Sequence, residues 1–290
     1  MDLSPEILQS TSRLELYARK VVDGFMSGGN RSIRAGMGME FKQFRNYQPG
    51  DDIRQFDWKM YARSGRYYIR ESEVSSDVSI HILLDGSASM GFAYDRWNKF
   101  DYCKVITLLL TYMALRQGDE VTIHILKDSA LQAFEIRSIS RFPHLVNGLI
   151  GLKPGGQGGA KFVPQKCYNK TKKMCFLISD FYQDNKQEVD RLVDQLTVLS
   201  SETIAFHALS SAEEKLDYNG EVIFKDLETG AAVHTNPQRI RQEYMSRYAA
   251  FIRETREKML KKGVYYHSLY MEQHVLETLE LFLKYRDKMK

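Results

Sequence analysis

Val78-Ser79-Ile80-His81-Ile82-Leu83-Leu84-Asp85-Gly86-Ser87-Ala88-Ser89 decides the fold of this chain. Val78 to Leu84 is rich in β-branched and aliphatic residues, the composition of a strand buried on both faces of a parallel sheet. A chain leaving such a strand at its carboxyl end emerges where open α/β sheets place their ligands. Asp85, Ser87 and Ser89 lie at i, i+2 and i+4 in a tight loop, so one carboxylate and two hydroxyls can converge on a point. Hard oxygen donors of low total charge suit Mg²⁺, which prefers octahedral oxygen ligands and keeps several waters. A solvated Ser/Gly turn is the plainer reading of the same residues.

Outward from that strand, apolar strands alternate with helices. Asp95 to Gln117 reads as a long helix, Val121 to Leu126 as a strand, and Leu131 to Ile136 as an antiparallel edge strand. Phe142 to Leu152 reads as a short helix closed by the glycine-rich loop Pro154 to Gly159, and Met174 to Ile178 as a third core strand that delivers Ser179-Asp180-Phe181. Val189 to Leu199 is helical, Thr203 to Leu209 a strand, Pro237 to Lys262 a long basic helix, Val264 to Leu269 a final strand and His274 to Lys288 a terminal helix. Such alternation predicts an α/β fold with a doubly wound, mostly parallel sheet. Asp217 to His234 interrupts it with two turn signals, Asn219-Gly220 and Glu228-Thr229-Gly230, and reads as a β insertion. Upstream, Glu6 to Phe25 has helical spacing through Ile7, Leu14, Tyr17, Val21 and Phe25, and Tyr67 to Glu73 alternates like a strand. We divide the chain into residues 1–73 (helix, charged loop, strand) and the α/β domain 74–290.

With 43% hydrophobic and 27% charged residues among 290, the composition is that of a globular protein, and the net charge of +4 is too balanced to imply nucleic acid. The helix Pro237 to Lys262 carries Arg239, Arg241, Arg247, Arg253, Arg256, Lys258, Lys261 and Lys262, but Glu243, Glu254 and Glu257 interleave with them, which suits a solvated helix. Cys103, Cys167 and Cys175 form no Cys-x-x-Cys pair and read as free thiols of a reducing compartment. The start, Met1 to Glu6, has no secretory pattern, and Val105 to Leu115 is about half the length of a spanning helix. The expectation is a cytoplasmic protein that is not embedded in a membrane. His81, His124 and His207 lie within apolar strands and read as structural.

Between Arg31 and Gly65 the chain is crowded with charge and aromatics that follow neither a helical nor a strand period. The reading is an ordered loop in which Glu40, Asp51, Asp52 and Asp57 face Arg45, Arg54 and Arg63, with Trp58 burying it on the sheet. Gly36-Met37-Gly38-Met39-Glu40-Phe41, Arg45-Asn46-Tyr47-Gln48-Pro49-Gly50-Asp51-Asp52-Ile53-Arg54, Asp57-Trp58 and Ala62-Arg63 resemble the signature of the bacterial family known as domain of unknown function 58. The likeness continues through Glu71-x-Glu73, Asp85-x-Ser87-x-Ser89-Met90, Gly118-Asp119, Ser179-Asp180-Phe181, Asp226-x-Glu228-Thr229-Gly230 and Arg241-x-x-Tyr244. It implies a von Willebrand factor A-like domain with a metal-ion-dependent adhesion site held by Asp85, Ser87, Ser89 and Asp180. It also implies action beside a MoxR-type AAA+ ATPase in a chaperone-like maturation system, with no established enzymatic activity. Glu40, Arg45, Tyr47, Asp51, Asp52, Arg54, Asp57, Trp58 and Arg63 would form a partner-binding or structural loop.

One position departs from that pattern. The adhesion-type site takes a further Thr after a Gly-Gly pair, whereas Gly158-Gly159 is followed here by Ala160-Lys161. A methyl group cannot ligate a cation, so the expectation is weak Mg²⁺ binding. The favoured function is therefore a non-enzymatic adaptor that grips an acidic residue of a client protein through the metal, with any membrane association made through its partners. The alternative is a Mg²⁺-dependent phosphotransferase of haloacid dehalogenase type with Asp85 as nucleophile. Against it, such enzymes place a second Asp where this chain has Ser87.

Overall fold

The computed structural model describes residues 10–27, 41–46, 61–63, 65, 67–72, 78–95, 97–128, 130–156, 172–182 and 186–287. Helix α1 (Thr11–Ser27) buries Leu14, Tyr17, Ala18 and Val22, with Val21 half-buried, as spacing of three and four residues requires. Its expected start from Glu6 lies outside the described residues.

Strands β1 (Phe41–Asn46) and β2 (Tyr68–Ser72) pair antiparallel, Phe44 opposite Arg70 and Asn46 opposite Tyr68. This corrects the expectation of a loop without regular structure between Arg31 and Gly65. The two phenylalanines of β1 are three residues apart among polar neighbours, so no period-two apolar signal reveals the strand.

The central strand is β3 (Val78–Asp85), followed by the short hairpin β4 (Ala93–Tyr94) and β5 (Trp97–Asn98) and by α2 (Lys99–Gln117). The helix begins four residues later than the expected Asp95, because the Asn98 side chain accepts the Asp101 N–H at 2.7 Å and so caps it. Gly118, at φ +86°, closes its other end. Nearly every side chain of α2 is buried, which is why its sequence reads apolar all round rather than amphipathic.

There follow β6 (Glu120–Lys127), β7 (Ala130–Ile136), α3 (Phe142–Ile150), β8 (Lys172–Ser179), α4 (Lys186–Leu199) and β9 (Glu202–Leu209). The chain then runs through α5 (Ser211–Lys215), β10 (Val222–Lys225), β11 (Ala232–Thr235), α6 (Pro237–Lys261), β12 (Tyr265–Tyr270) and α7 (Val275–Asp287).

The six-stranded sheet has the order β12-β9-β8-β3-β6-β7, parallel throughout except for β7, which runs antiparallel beside β6. This is the doubly wound, mostly parallel sheet expected. Ile80, Ile82 and Leu84 of β3 face a core shared with α1, α2, α3 and α7. Leu83 faces the opposite core, with Leu177 and with Leu192, Leu196 and Met259 of α4 and α6. Period-two alternation thus feeds two apolar layers from one strand.

The β insertion forms as β10 paired with β11, but Asn219-Gly220 precedes β10 and does not close the hairpin. The closing turn is Asp226 to Gly230: Asp226 Oδ1 accepts the N–H of Glu228 at 2.9 Å and of Thr229 at 2.7 Å, and Gly230 has φ +75°. Helix α6 is pinned by ion pairs of Lys258 with Asp190 and of Lys262 with Asp190 and Asp194. No described helix is long and apolar enough to cross a membrane.

Candidate functional site

Chain order explains where the site lies. From β3 the polypeptide builds β6 and β7 on one side, then crosses to β8 on the other, so the order reverses between β3 and β8. A crevice opens outside the carboxyl ends of strands at such a reversal. Asp85 ends β3 and Asp180 follows β8, and the structure brings the four expected residues Asp85, Ser87, Ser89 and Asp180 together there.

Gly86 permits the loop: a Cβ there would lie 3.1 Å from Ile125 Cγ2 and 3.4 Å from the Leu126 carbonyl oxygen. The Pro154 to Gly156 segment braces it, Gly155 N–H donating to Gly86 O at 2.9 Å and Ala88 N–H to Gly156 O at 3.1 Å. Asp85, 1% exposed, spends both oxygens inside the protein. Oδ1 accepts the Ser87 N–H at 2.9 Å and Oδ2 the Ser179 hydroxyl at 2.6 Å. Burial, reinforced by the neighbouring Asp180 carboxylate, pushes its pKa up to about 6.

In front of Asp85 runs a chain of oxygens. Ser87 Oγ lies 3.0 Å from Ser89 Oγ, and the Ser89 hydroxyl donates to Asp180 Oδ1 at 3.2 Å. An octahedral Mg²⁺ with bonds of 2.0–2.1 Å has neighbouring ligand oxygens about 3 Å apart. Ser87, Ser89 and Asp180 therefore fit two edges of such a shell, with Asp85 orienting Ser87 from behind. Ser89 is half-buried and carries the cluster to the outside.

Asp180 is itself held rigidly. The Tyr182 N–H donates to Oδ1 at 3.2 Å, and Phe181 between them takes φ +56°, a conformation non-glycine residues seldom adopt. His207 Nε2 lies 3.0 Å from the Asp180 carbonyl oxygen, which can only accept, so Nε2 carries the proton and Nδ1 accepts from the Tyr266 hydroxyl at 2.6 Å. The structural reading of His207 holds, as it does for His81 and His124, whose rings meet at 3.2 Å between adjacent strands.

Lys99 is the residue that sequence reasoning missed. Fully buried, it places Nζ 3.3 Å from Asp180 Oδ2 and 2.8 Å from Glu213 Oε1, and 4.8 Å and 5.5 Å from the ring centres of Tyr182 and Phe92. Burial pulls its pKa down, but the Asp180 and Glu213 carboxylates outweigh that and hold the ammonium above its ordinary value. The signal in the sequence is slight: a lysine in the first turn of a helix opposes the macrodipole and so needs carboxylates nearby. Lys99 neutralises the side of Asp180 that faces away from the serines, which lowers the attraction of the cluster for a second cation.

Of the charged loop, Glu40, Tyr47, Asp51, Asp52, Arg54, Asp57 and Trp58 lie outside the described residues, as does Ala160 with the position of the missing Thr. Arg45 falls on β1 opposite Ile69, and Arg63 is exposed on a helical turn at residues 61–63.

The family described as "Protein of unknown function DUF58" matches residues 43–254. The uncharacterized proteins Mb1516 of Mycobacterium bovis and Rv1480 of Mycobacterium tuberculosis are each 24% identical over 233 residues, covering 78% of this chain and 72% of their own. Among solved structures, an aerotolerance-related membrane protein from Bacteroides fragilis is 15% identical and aligns over 73% of this chain and 100% of its own, with a TM-score of 0.42. The conserved hypothetical protein BatB from Bacteroides thetaiotaomicron is 12% identical over 73% of this chain and 99% of its own, with a TM-score of 0.41.

Proposed function

This chain belongs to the DUF58 family, and on that footing we propose that it is a cytoplasmic docking module, not an enzyme, which works beside a MoxR-type AAA+ ATPase in chaperone-like protein maturation. The observation that carries the reading is the oxygen row Ser87, Ser89 and Asp180 at the reversal of strand order, spaced 3.0 and 3.2 Å and reaching the outside at Ser89. Mg²⁺ held there supplies a docking point for an acidic side chain of a client protein, and the ATPase supplies the energy. What this chain contributes is preorganisation: Asp85 fixes Ser87, and the Phe181 turn fixes Asp180. The enclosure of Asp85 favours docking over phosphotransfer, because a nucleophile needs a carboxylate oxygen facing its substrate. Here both oxygens are occupied within the protein.

Wild-type protein is expected to bind Mg²⁺ weakly by titration calorimetry, and Ser89→Ala and Asp85→Ala to abolish the heat of binding. Capture of the ATPase by the tagged protein should fall in both variants and in chelator. Equal capture by all three proteins, insensitive to chelator, would remove the metal from the reading.

A further inference from the structure

Past Ser89 the crevice widens into a cavity of ≈ 430 Å³, walled by Phe92, Phe181, Tyr182 and Phe251 and rimmed by the β10–β11 tip from Lys225 to Thr229. That volume is within the usual range of small-ligand sites. Its lining carries three carboxylates, Glu213, Asp226 and Glu228, beside Lys225, with Glu213 also paired to the buried Lys99 behind it. Glu213 gives Oε1 to Lys99, while its Oε2 is buried without a hydrogen-bond partner among the described residues. A buried acceptor left unmade costs about 1–3 kcal/mol, so this oxygen marks where a donor belongs.

We propose that this cavity seats a basic side chain, a lysine or an arginine, carried by the protein segment that docks at Ser89; the inference rests on the docking reading above. Three features point to a cation. The first is Glu213, which lines the cavity together with Asp226 and Glu228 and has one oxygen unsatisfied among the described residues. The second is the wall: Tyr182 and Phe251 stack at 5.0 Å and 14°, an apolar face along which the methylene stem of a lysine or arginine can lie. The third is a precedent within the protein, since Phe92, Tyr182 and Glu213 already hold the ammonium of Lys99. An acidic side chain entering the same space would instead face Glu213. Burial raises the Glu213 pKa, and Lys99 only partly offsets it.

The test uses the full chain and simple probes. The N-acetyl methylamides of lysine, arginine and glutamate are titrated, with and without Mg²⁺, while the backbone amides of Ser89, Tyr182 and Thr229 are followed by NMR. Lysine and arginine probes are expected to shift these amides saturably without Mg²⁺, and Glu213→Gln to weaken them about tenfold, the loss of one charge-assisted bond. Gln still accepts a hydrogen bond from Lys99. Should Glu213→Gln fail to fold, Phe251→Leu is the second variant, expected to weaken both cationic probes by opening the wall. Cationic probes that leave the amides unmoved, or bind Glu213→Gln as well as wild type, would overturn the inference. If the glutamate probe alone binds, and only with Mg²⁺, the cation pocket falls while the docking reading stands. If the cationic probes bind but glutamate does not bind even with Mg²⁺, the pocket stands and the metal-docking reading falls.

Discussion

Lys99→Met should lower the stability of this protein by about 3–5 kcal/mol, the cost of leaving the partners of a buried ion pair uncompensated. Asp180, 0% exposed, and Glu213, 12% exposed at its side chain, share this one ammonium. Methionine fills much of the same space, so the loss reads charge rather than volume. Urea unfolding followed by circular dichroism measures it. Two companions sharpen the result. Adding Glu213→Gln to Lys99→Met should recover part of the loss, because one of the two stranded charges is gone. Mg²⁺ should stabilise Lys99→Met more than wild type, since a ligand that binds the native state shifts unfolding in proportion to its affinity. A Lys99→Met protein as stable as wild type, with no greater response to Mg²⁺, would show that the lysine does not balance this site.

Acid should unfold the protein early, over a pH range that the buried histidines define. Burial pushes His124 down to about 4, aided by His81, and His207 down to about 3, aided by Lys99. The half-buried His267 falls to about 4 by burial. Each is neutral in the folded state, while the unfolded chain titrates near 6.5. Their stabilisation is therefore complete above pH 6.5 and is lost as pH falls toward the folded values, because unfolding takes up protons. Asp85 acts in the opposite sense: raised to about 6, it holds a proton in the folded state that the unfolded chain releases, which adds stability between about 6 and its ordinary value. The balance is a net uptake of one to two protons, or about 2 kcal/mol per pH unit between 6 and 4. Over two units that is comparable to the total stability of an ordinary domain, about 5–15 kcal/mol. Urea midpoints measured from pH 7 to 4 test the slope, and a flat profile down to pH 5 would contradict it.

By itself the sequence determined the sheet. Ile80, Ile82 and Leu84 alternating with Leu83, followed by apolar strands at Val121, Met174, Thr203 and Val264 with helical stretches between most of them, are the pattern of a doubly wound sheet covered on both faces. It also determined which oxygens meet, because Asp85 and Asp180 each follow a strand and neighbouring parallel strands end side by side. Tertiary structure alone decided their electrostatics. Lys99, Asp180 and Glu213 are separated by 81 and 33 positions in the chain (99 to 180, then 180 to 213), and no local period records that a first-turn lysine is buried between two carboxylates. The same holds for the cavity wall, where Tyr182 meets Phe251 only because α6 returns across the crevice after the hairpin. Local spacing encodes backbone form, which depends on neighbours in sequence. Charge balance and cavity shape depend on neighbours in space, and for this site those were set by the crossover from β7 to β8 and by the path of α6.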